Sequence, residues 1–118
     1  MKKFSIKDSG KRLKYKSGMV RDLQEGKPRY DLIYLPMITD LAHHMAGGAC
    51  KYGERNWEKS NSVEELNRFK ASAWRHFVQF MNGEEDERHD SAILFNIGAI
   101  KYLMDKLDVD INGNKHKS

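Results

Sequence analysis

From residue 35 onward, apolar residues recur every three or four positions, the period of a helix packed along one side. Ile38, Leu41, Ala42, Met45, Ala49 and Tyr52 follow it, Pro36 suits a first helical position, and Gly53 is placed to end the helix. Gly47 and Gly48 each weaken such a helix by roughly 1 kcal/mol relative to Ala, which points to close approach of a neighbouring helix or a ligand. Residues 54–61 read as a loop. The second helix has a distinct start, because Ser62-Val63-Glu64-Glu65 is a capping box with Ser62 as N-cap. Leu66, Phe69, Ala73, Phe77, Phe80 and Met81 form its apolar stripe, and Arg68, Ser72, Arg75 and Gln79 its polar side. Asn82-Gly83 stops it. A third helix follows the acid run 84–87 and reaches about Leu107, with Ile93, Ile97, Ile100, Met104 and Leu107 as its stripe, widened by Leu94 and Leu103. His89, Ala92, Asn96 and Ala99 lie on an adjacent face. No segment reads as a convincing strand; 30–35 is short enough to be only an extended link. The pattern predicts an all-α fold, a small helical bundle. It divides into an irregular N-terminal arm over 1–29, a helical domain over 30–107 and a polar, frayed tail over 108–118.

Composition agrees with one folded domain. Of 118 residues, 32% are charged and only 39% hydrophobic, but 5 Phe, 5 Tyr and 2 Trp give a core-forming complement that disordered chains lack. No run of 18 apolar residues exists to span a membrane, and the N-terminus shows no secretory signal. The one cysteine, Cys50, excludes an internal disulfide and a multi-cysteine zinc site, and fits a reducing, cytoplasmic setting. A polar domain of this size often buries more surface by self-association, so a homodimer or homotetramer is expected.

Charge is unevenly divided. Residues 1–29 carry ten basic and three acidic residues, a local charge of +7, whereas the other 89 carry eleven basic and fourteen acidic, −3. Such an arm can bind nucleic acid by neutralising phosphates, steer a small phosphate-bearing ligand, or simply be a solvated terminus.

Four groups of residues suggest chemistry. Glu84, Glu85, Asp86, Glu87 and Asp90 place five carboxylates within seven residues. If helical, the i, i+3 pairs Glu84–Glu87 and Glu87–Asp90 share a face and suit Mg²⁺ or Mn²⁺; otherwise they are a solvated first turn favoured by the helix dipole. His76 lies eight residues before Glu84, beside Arg75, whose guanidinium suits phosphate; the alternative is a surface arginine next to a satisfied histidine. His89 and Asn96 line either a buried hydrogen-bond network or a site wall. His43 reads as solvated and His44 as part of a helix interface, with no role. Lys51, Tyr52, Gly53, Glu54, Arg55, Asn56 and Trp57 supply cations for phosphate, a ring for stacking and an amide for a base edge, or else a helix C-terminus with Trp57 plugging the core.

Together these residues resemble a known family. Ser17-Gly18-Met19-Val20-Arg21-Asp22 with Glu25-Gly26-Lys27-Pro28-Arg29-Tyr30-Asp31-Leu32-Ile33 is similar to the opening of the phage and bacterial dATP/dGTP diphosphohydrolase domain, a relative of the MazG-like all-α nucleoside triphosphate pyrophosphohydrolases. Gly48-Ala49 followed by Lys51 to Lys59, then Arg75-His76, Gly83-Glu84, Asp86-Glu87, His89 and Phe95-Asn96, resemble its later blocks in order, over roughly residues 17–103. The resemblance implies hydrolysis of a purine deoxynucleoside triphosphate to monophosphate and pyrophosphate, assisted by carboxylate-held Mg²⁺ or Mn²⁺. It implies Glu84, Glu87 and His76 as catalytic residues, and Glu84, Asp86, Glu87, Asp90 and His89 as metal ligands. Arg29, Lys51, Arg55, Asn56, Trp57, Arg75 and Asn96 become substrate-binding residues. No membrane and no nucleic acid is required, and the setting is the cytoplasm, a host's if the chain is phage-encoded. The chain departs from the wider superfamily's EExxE motif: Glu64-Glu65 is followed by Arg68, so that pair reads as a helix cap, while His76 and Gln79 occupy the place of the first metal-binding helix with different ligand chemistry. A rival reading is a non-enzymatic nucleic-acid-binding module that uses the basic arm.

Overall fold

The computed structural model describes residues 5–116, so the first four residues of the predicted arm and the last two of the tail lie outside it. Two compact units divide the chain, one up to Ile33 and one from Tyr34. In the first, Arg12–Lys14 (β1) pairs antiparallel with Val20–Asp22 (β2), a hairpin where no strand is expected. Three-residue strands are too short to show alternation, and side-chain hydrogen bonds hold the ends instead. Asp22 accepts from the backbone N–H and the hydroxyl of Ser9, and its carboxylate also draws Arg12 and Lys27 to 3.5 and 3.6 Å. Arg12 forks onto Asp8 at 2.7 Å. Several of the arm's cations thus have internal counter-charges.

Among its described residues the second unit contains three α-helices, Leu35–Tyr52 (α1), Val63–Met81 (α2) and His89–Leu107 (α3). The α2 start follows its capping box: the Ser62 hydroxyl accepts the Glu65 N–H at 3.2 Å, and the Glu65 carboxylate accepts from the Asn61 N–H and the Ser62 hydroxyl. Contacts between α2 and α3 pair rising with falling numbers (Leu66 with Leu103, Ser72 with Asn96, His76 with His89), so the two run antiparallel. Along α1 and α3 both numbers rise (Asp40 with Arg88, His44 with Phe95), so these run parallel. Leu66, Ile100, Leu103 and Val109 form the core, flanked by Phe69, Ala73, Tyr102 and Leu107.

Two apolar stripes run along α2. Leu66, Phe69, Ala73 and then His76 face α3. Trp74, Phe77, Val78 and Met81, also at i, i+3, i+4 and i+7, face outward, with Trp74 68% and Met81 66% exposed. The single stripe expected from sequence mixed these two faces at Phe77, Phe80 and Met81. The C-terminal segment differs from the frayed tail expected. Val109 is buried, bridges to Lys115 and caps the core; Lys70 Nζ donates to the Ile111 carbonyl at 2.8 Å and Lys115 Nζ to that of Leu107. Asp110 Oδ1 accepts the Asn112 and Asn114 N–H groups, closing the turn that carries Gly113.

Gly113 has φ +81°, and a Cβ there would lie 2.6 Å from Val63 Cγ1. Gly47 and Gly48 have open space around the missing Cβ, so no neighbouring helix explains them. Gly113→Ala is expected to lower stability by about 2 kcal/mol through overpacking and the left-handed backbone. Gly47→Ala is expected to raise it by up to about 1 kcal/mol. Urea unfolding followed by circular dichroism measures both, and a Gly113→Ala protein as stable as the parent would contradict this packing of the C-terminal turn.

Candidate active site

The end of the α2–α3 pair is polar. After the Asn82 C-cap, Gly83 turns the chain at φ +77°, and the Glu84 N–H returns to the Gln79 carbonyl at 3.1 Å. The segment to Arg88 is not helical, and α3 begins at His89. So short a connection brings His76, on the last turns of α2, against the first residue of α3. Their Nδ1 atoms lie 2.8 Å apart, with His89 1% and His76 9% exposed. The other nitrogen of His89, Nε2, is 2.8 Å from Asp86 Oδ1. This hydrogen bond holds the Asp86 carboxyl below its ordinary pKa. An ionised carboxylate only accepts, so His89 Nε2 carries a hydrogen, and in the neutral ring Nδ1 then presents its lone pair to His76. The Glu87 carboxylate completes the group: ligand atoms of His76, Glu87 and His89 all lie within 4.8 Å of one another. Among the described residues this is the only such trio of His, Cys, Asp or Glu.

Beside this cluster lies an open cleft of about 1070 Å³ between α1, the loop after it, and α2 and α3. Its aromatic wall centres on Phe95, which meets His44 at 5.8 Å, Phe69 at 6.3 Å and Trp57 at 6.4 Å. Trp57 also stands edge-on to Tyr102 at 5.0 Å. The loop is pinned to α3, because Tyr102 Oη and Lys106 Nζ donate to the Glu58 carbonyl and Lys106 also to that of Ser60. Lys51, Arg55 and Asn56 line the cleft, as do Gly47 and Gly48, so the open space at these glycines is cleft volume. Lys51 is pushed up, first by the neighbouring Tyr52 hydroxyl and at longer range by Glu87. Glu87 and His44 both act electrostatically on His76, so these side chains link cluster to cleft.

The predicted site residues therefore separate. His76, Glu87 and His89 converge, with Asp86 behind His89; Lys51, Arg55, Asn56 and Trp57 share the cleft. The shared-face argument for Glu84, Glu87 and Asp90 does not hold, because residues 84–88 lie before the helix. Glu84 is exposed in the turn. Asp90 is engaged by Arg88, which also reaches Asp40 on α1 at 2.6 Å. Asn96 is buried, donating to the Ala92 carbonyl and the Ser72 hydroxyl, as a hydrogen-bond network would require. Arg75 is exposed near Ser72. Arg29 belongs to the first unit and forks onto Asp31. Sequence reasoning missed His44. Its signal was the spacing His44, Gly47, Gly48, Lys51, which places these positions on one face of α1.

Burial, then the Arg75 charge, lowers the His76 pKa from its ordinary 6.5, with Glu87 opposing and His89 and His44 adding to the shift. The unfolded chain then binds this proton more tightly than the folded one. The stability contributed is present above 6.5 and is lost as pH falls through and below that value. The thermal midpoint should drop between pH 7.5 and 5, and drop less in His76→Asn. Equal slopes in scanning calorimetry would contradict the assignment.

Residues 17–111 match the family model described as dATP/dGTP diphosphohydrolase, N-terminal. No curated protein and no solved structure matches the chain. The match spans most of the sequence and contains every residue of the cluster and the cleft named above, so the chain belongs to the dATP/dGTP diphosphohydrolase N-terminal domain family.

Proposed function

We propose that this protein is a cation-dependent pyrophosphohydrolase that splits dGTP or dATP into the monophosphate and pyrophosphate. One observation carries the reading: the cleft bearing Lys51, Arg55 and Trp57 opens beside the His76–Glu87–His89 group, with Glu87 acting on both. The cleft accepts the purine against Trp57 and the Phe95 wall, with Asn56 at the base or sugar edge. Backbone can approach the ligand at Gly47 and Gly48, where no side chain intervenes. Lys51 and Arg55 hold the phosphates; Arg55 exchanges its present contact with Glu58 for that role. Arg75 and Asn96 supply further substrate contacts in this reading. Water attacks the α-phosphorus in line; the bond to the bridging oxygen breaks and pyrophosphate leaves with that electron pair. Glu84, exposed in the turn, accepts the proton of the attacking water, and His76 and Glu87 face the reacting phosphate.

Two imidazoles and a carboxylate, one imidazole oriented by Asp86, fit a divalent cation. Such a cation supplies charge neutralisation and a more acidic water. Mg²⁺ or Mn²⁺ accompanies the triphosphate. Two exposed apolar surfaces, the Trp74–Phe77–Val78–Met81 stripe and Leu35, Met37 and Ile38 on α1, support a homodimer or homotetramer. No described helix is long and apolar enough to cross a membrane, and the reading needs no nucleic acid.

Pyrophosphate release from dGTP and dATP with Mg²⁺ or Mn²⁺ tests the reaction, and EDTA should abolish it. Glu87→Gln is expected to lower kcat/KM by roughly 100-fold or more. Lys51→Ala and Arg55→Ala are expected to raise KM by about tenfold, the loss of one charge-assisted hydrogen bond. No turnover of any nucleotide would sink the proposal, and steeply salt-dependent DNA binding in its place would favour the basic-arm reading.

A further inference from the structure

The cluster is nitrogen-rich, and this bears on which cation it takes. We infer that His76 Nδ1, His89 Nδ1 and a Glu87 carboxylate oxygen form a site for a late first-row transition cation of the Zn²⁺ or Co²⁺ type, distinct from the Mg²⁺ or Mn²⁺ that travels with a nucleotide. It rests on the proposed reading of this cluster as the cation site of the enzyme, but cation binding is measured without nucleotide.

Three observations carry it. The first is the donor set. Imidazole nitrogen suits Zn²⁺ and neighbouring late first-row cations such as Co²⁺ and Ni²⁺, whereas Mg²⁺ and Mn²⁺ suit oxygen ligands and Mg²⁺ retains its waters. The second is the His89 tautomer. Asp86 Oδ1 accepts the Nε2 hydrogen at 2.8 Å, so in the neutral ring the lone pair is on Nδ1, directed at His76. This carboxylate–imidazole arrangement is the usual support behind a metal-bound histidine. The third is the close approach of the two Nδ1 atoms, 2.8 Å, in a buried setting. With both rings neutral and no metal, the hydrogen between them sits on His76 Nδ1. A cation bound by both rings would lie off the line joining the two nitrogens, at ordinary metal–nitrogen distances; the hydrogen between them would move to His76 Nε2, leaving both lone pairs for the ion. Glu87, on the solvent side, supplies the third ligand and the negative charge. Three protein ligands leave further coordination positions for water or a phosphate oxygen, the arrangement of a catalytic rather than a purely structural site.

The experiment uses the full chain stripped with EDTA and titrated with Co²⁺ alone, read by visible absorption, with Zn²⁺ and Mg²⁺ as competitors. Co²⁺ should bind at one equivalent with a ligand-field spectrum of nitrogen ligation. Zn²⁺ should displace it stoichiometrically, and millimolar Mg²⁺ should not. His89→Gln should abolish the spectrum. Asp86→Asn changes a largely exposed side chain, so it leaves the fold intact, and should weaken Co²⁺ affinity by roughly 10- to 100-fold. Circular dichroism controls for folding in each variant. Displacement of Co²⁺ by Mg²⁺ at comparable concentration, or an unchanged spectrum in both variants, would overturn the inference. Nucleotide turnover with Mg²⁺ in a protein that binds no Co²⁺ would defeat the inference and leave the proposed reaction standing. Tight Co²⁺ binding without turnover of any nucleotide would do the reverse.

Discussion

Antiparallel packing of α2 on α3 joins two different kinds of contact. At one end Leu66 and Leu103 are fully buried against Ile100 and Val109. At the other, His76 and His89 meet through Nδ1 where apolar side chains would otherwise continue the seam. The apolar end is the source of stability, because burial of a large aliphatic side chain contributes about 1.5–3 kcal/mol. The polar end draws on it: two imidazoles are held out of water in a fixed mutual orientation, which an isolated helical hairpin would not maintain. The short turn from Gly83 to Arg88 completes this, since it is long enough to reverse the chain and carries Asp86 and Glu87 to the histidine pair.

Electrostatics follow from that geometry. The −3 body concentrates its acids around residues 84–90, but they are not equivalent once folded. Asp86 is committed to His89, Asp90 to Arg88, and Glu87 groups with the two histidines. The cations of residues 51–55 lie in the adjoining cleft. The basic arm has a separate arrangement, with Asp8 and Asp22 pairing to Arg12 and Lys27.

Much of the fold was legible in the sequence because helices have local causes. The capping box at Ser62, Pro36 near the start of α1 and the stops at Gly53 and Asn82-Gly83 are each written in a few neighbouring residues, and the helix bounds follow them closely. The hairpin at 12–22 was not legible, because its register depends on Asp22 reaching back to Ser9 rather than on alternation. Nor was the second stripe of α2. Period alone shows that Phe77 and Met81 share a side with other apolar residues, but not whether that side meets α3 or solvent.

The residue types and the elements carrying them were determined locally: histidine on α2, an acid run before α3, glycine and lysine along α1, and a Lys-Arg-Asn-Trp loop. The family resemblance followed from their order. Only the tertiary structure decided which of these meet. Five carboxylates close in sequence looked like one oxygen cage, but a carboxylate pairs with whichever cation or hydrogen-bond donor the fold brings near. His89 took Asp86, Arg88 took Asp90, and Glu87 joined two histidines 11 and two residues away along the chain. Spacing rules assume a helix where the chain makes a turn, and proximity across a helix pair has no signature in the sequence of either helix alone.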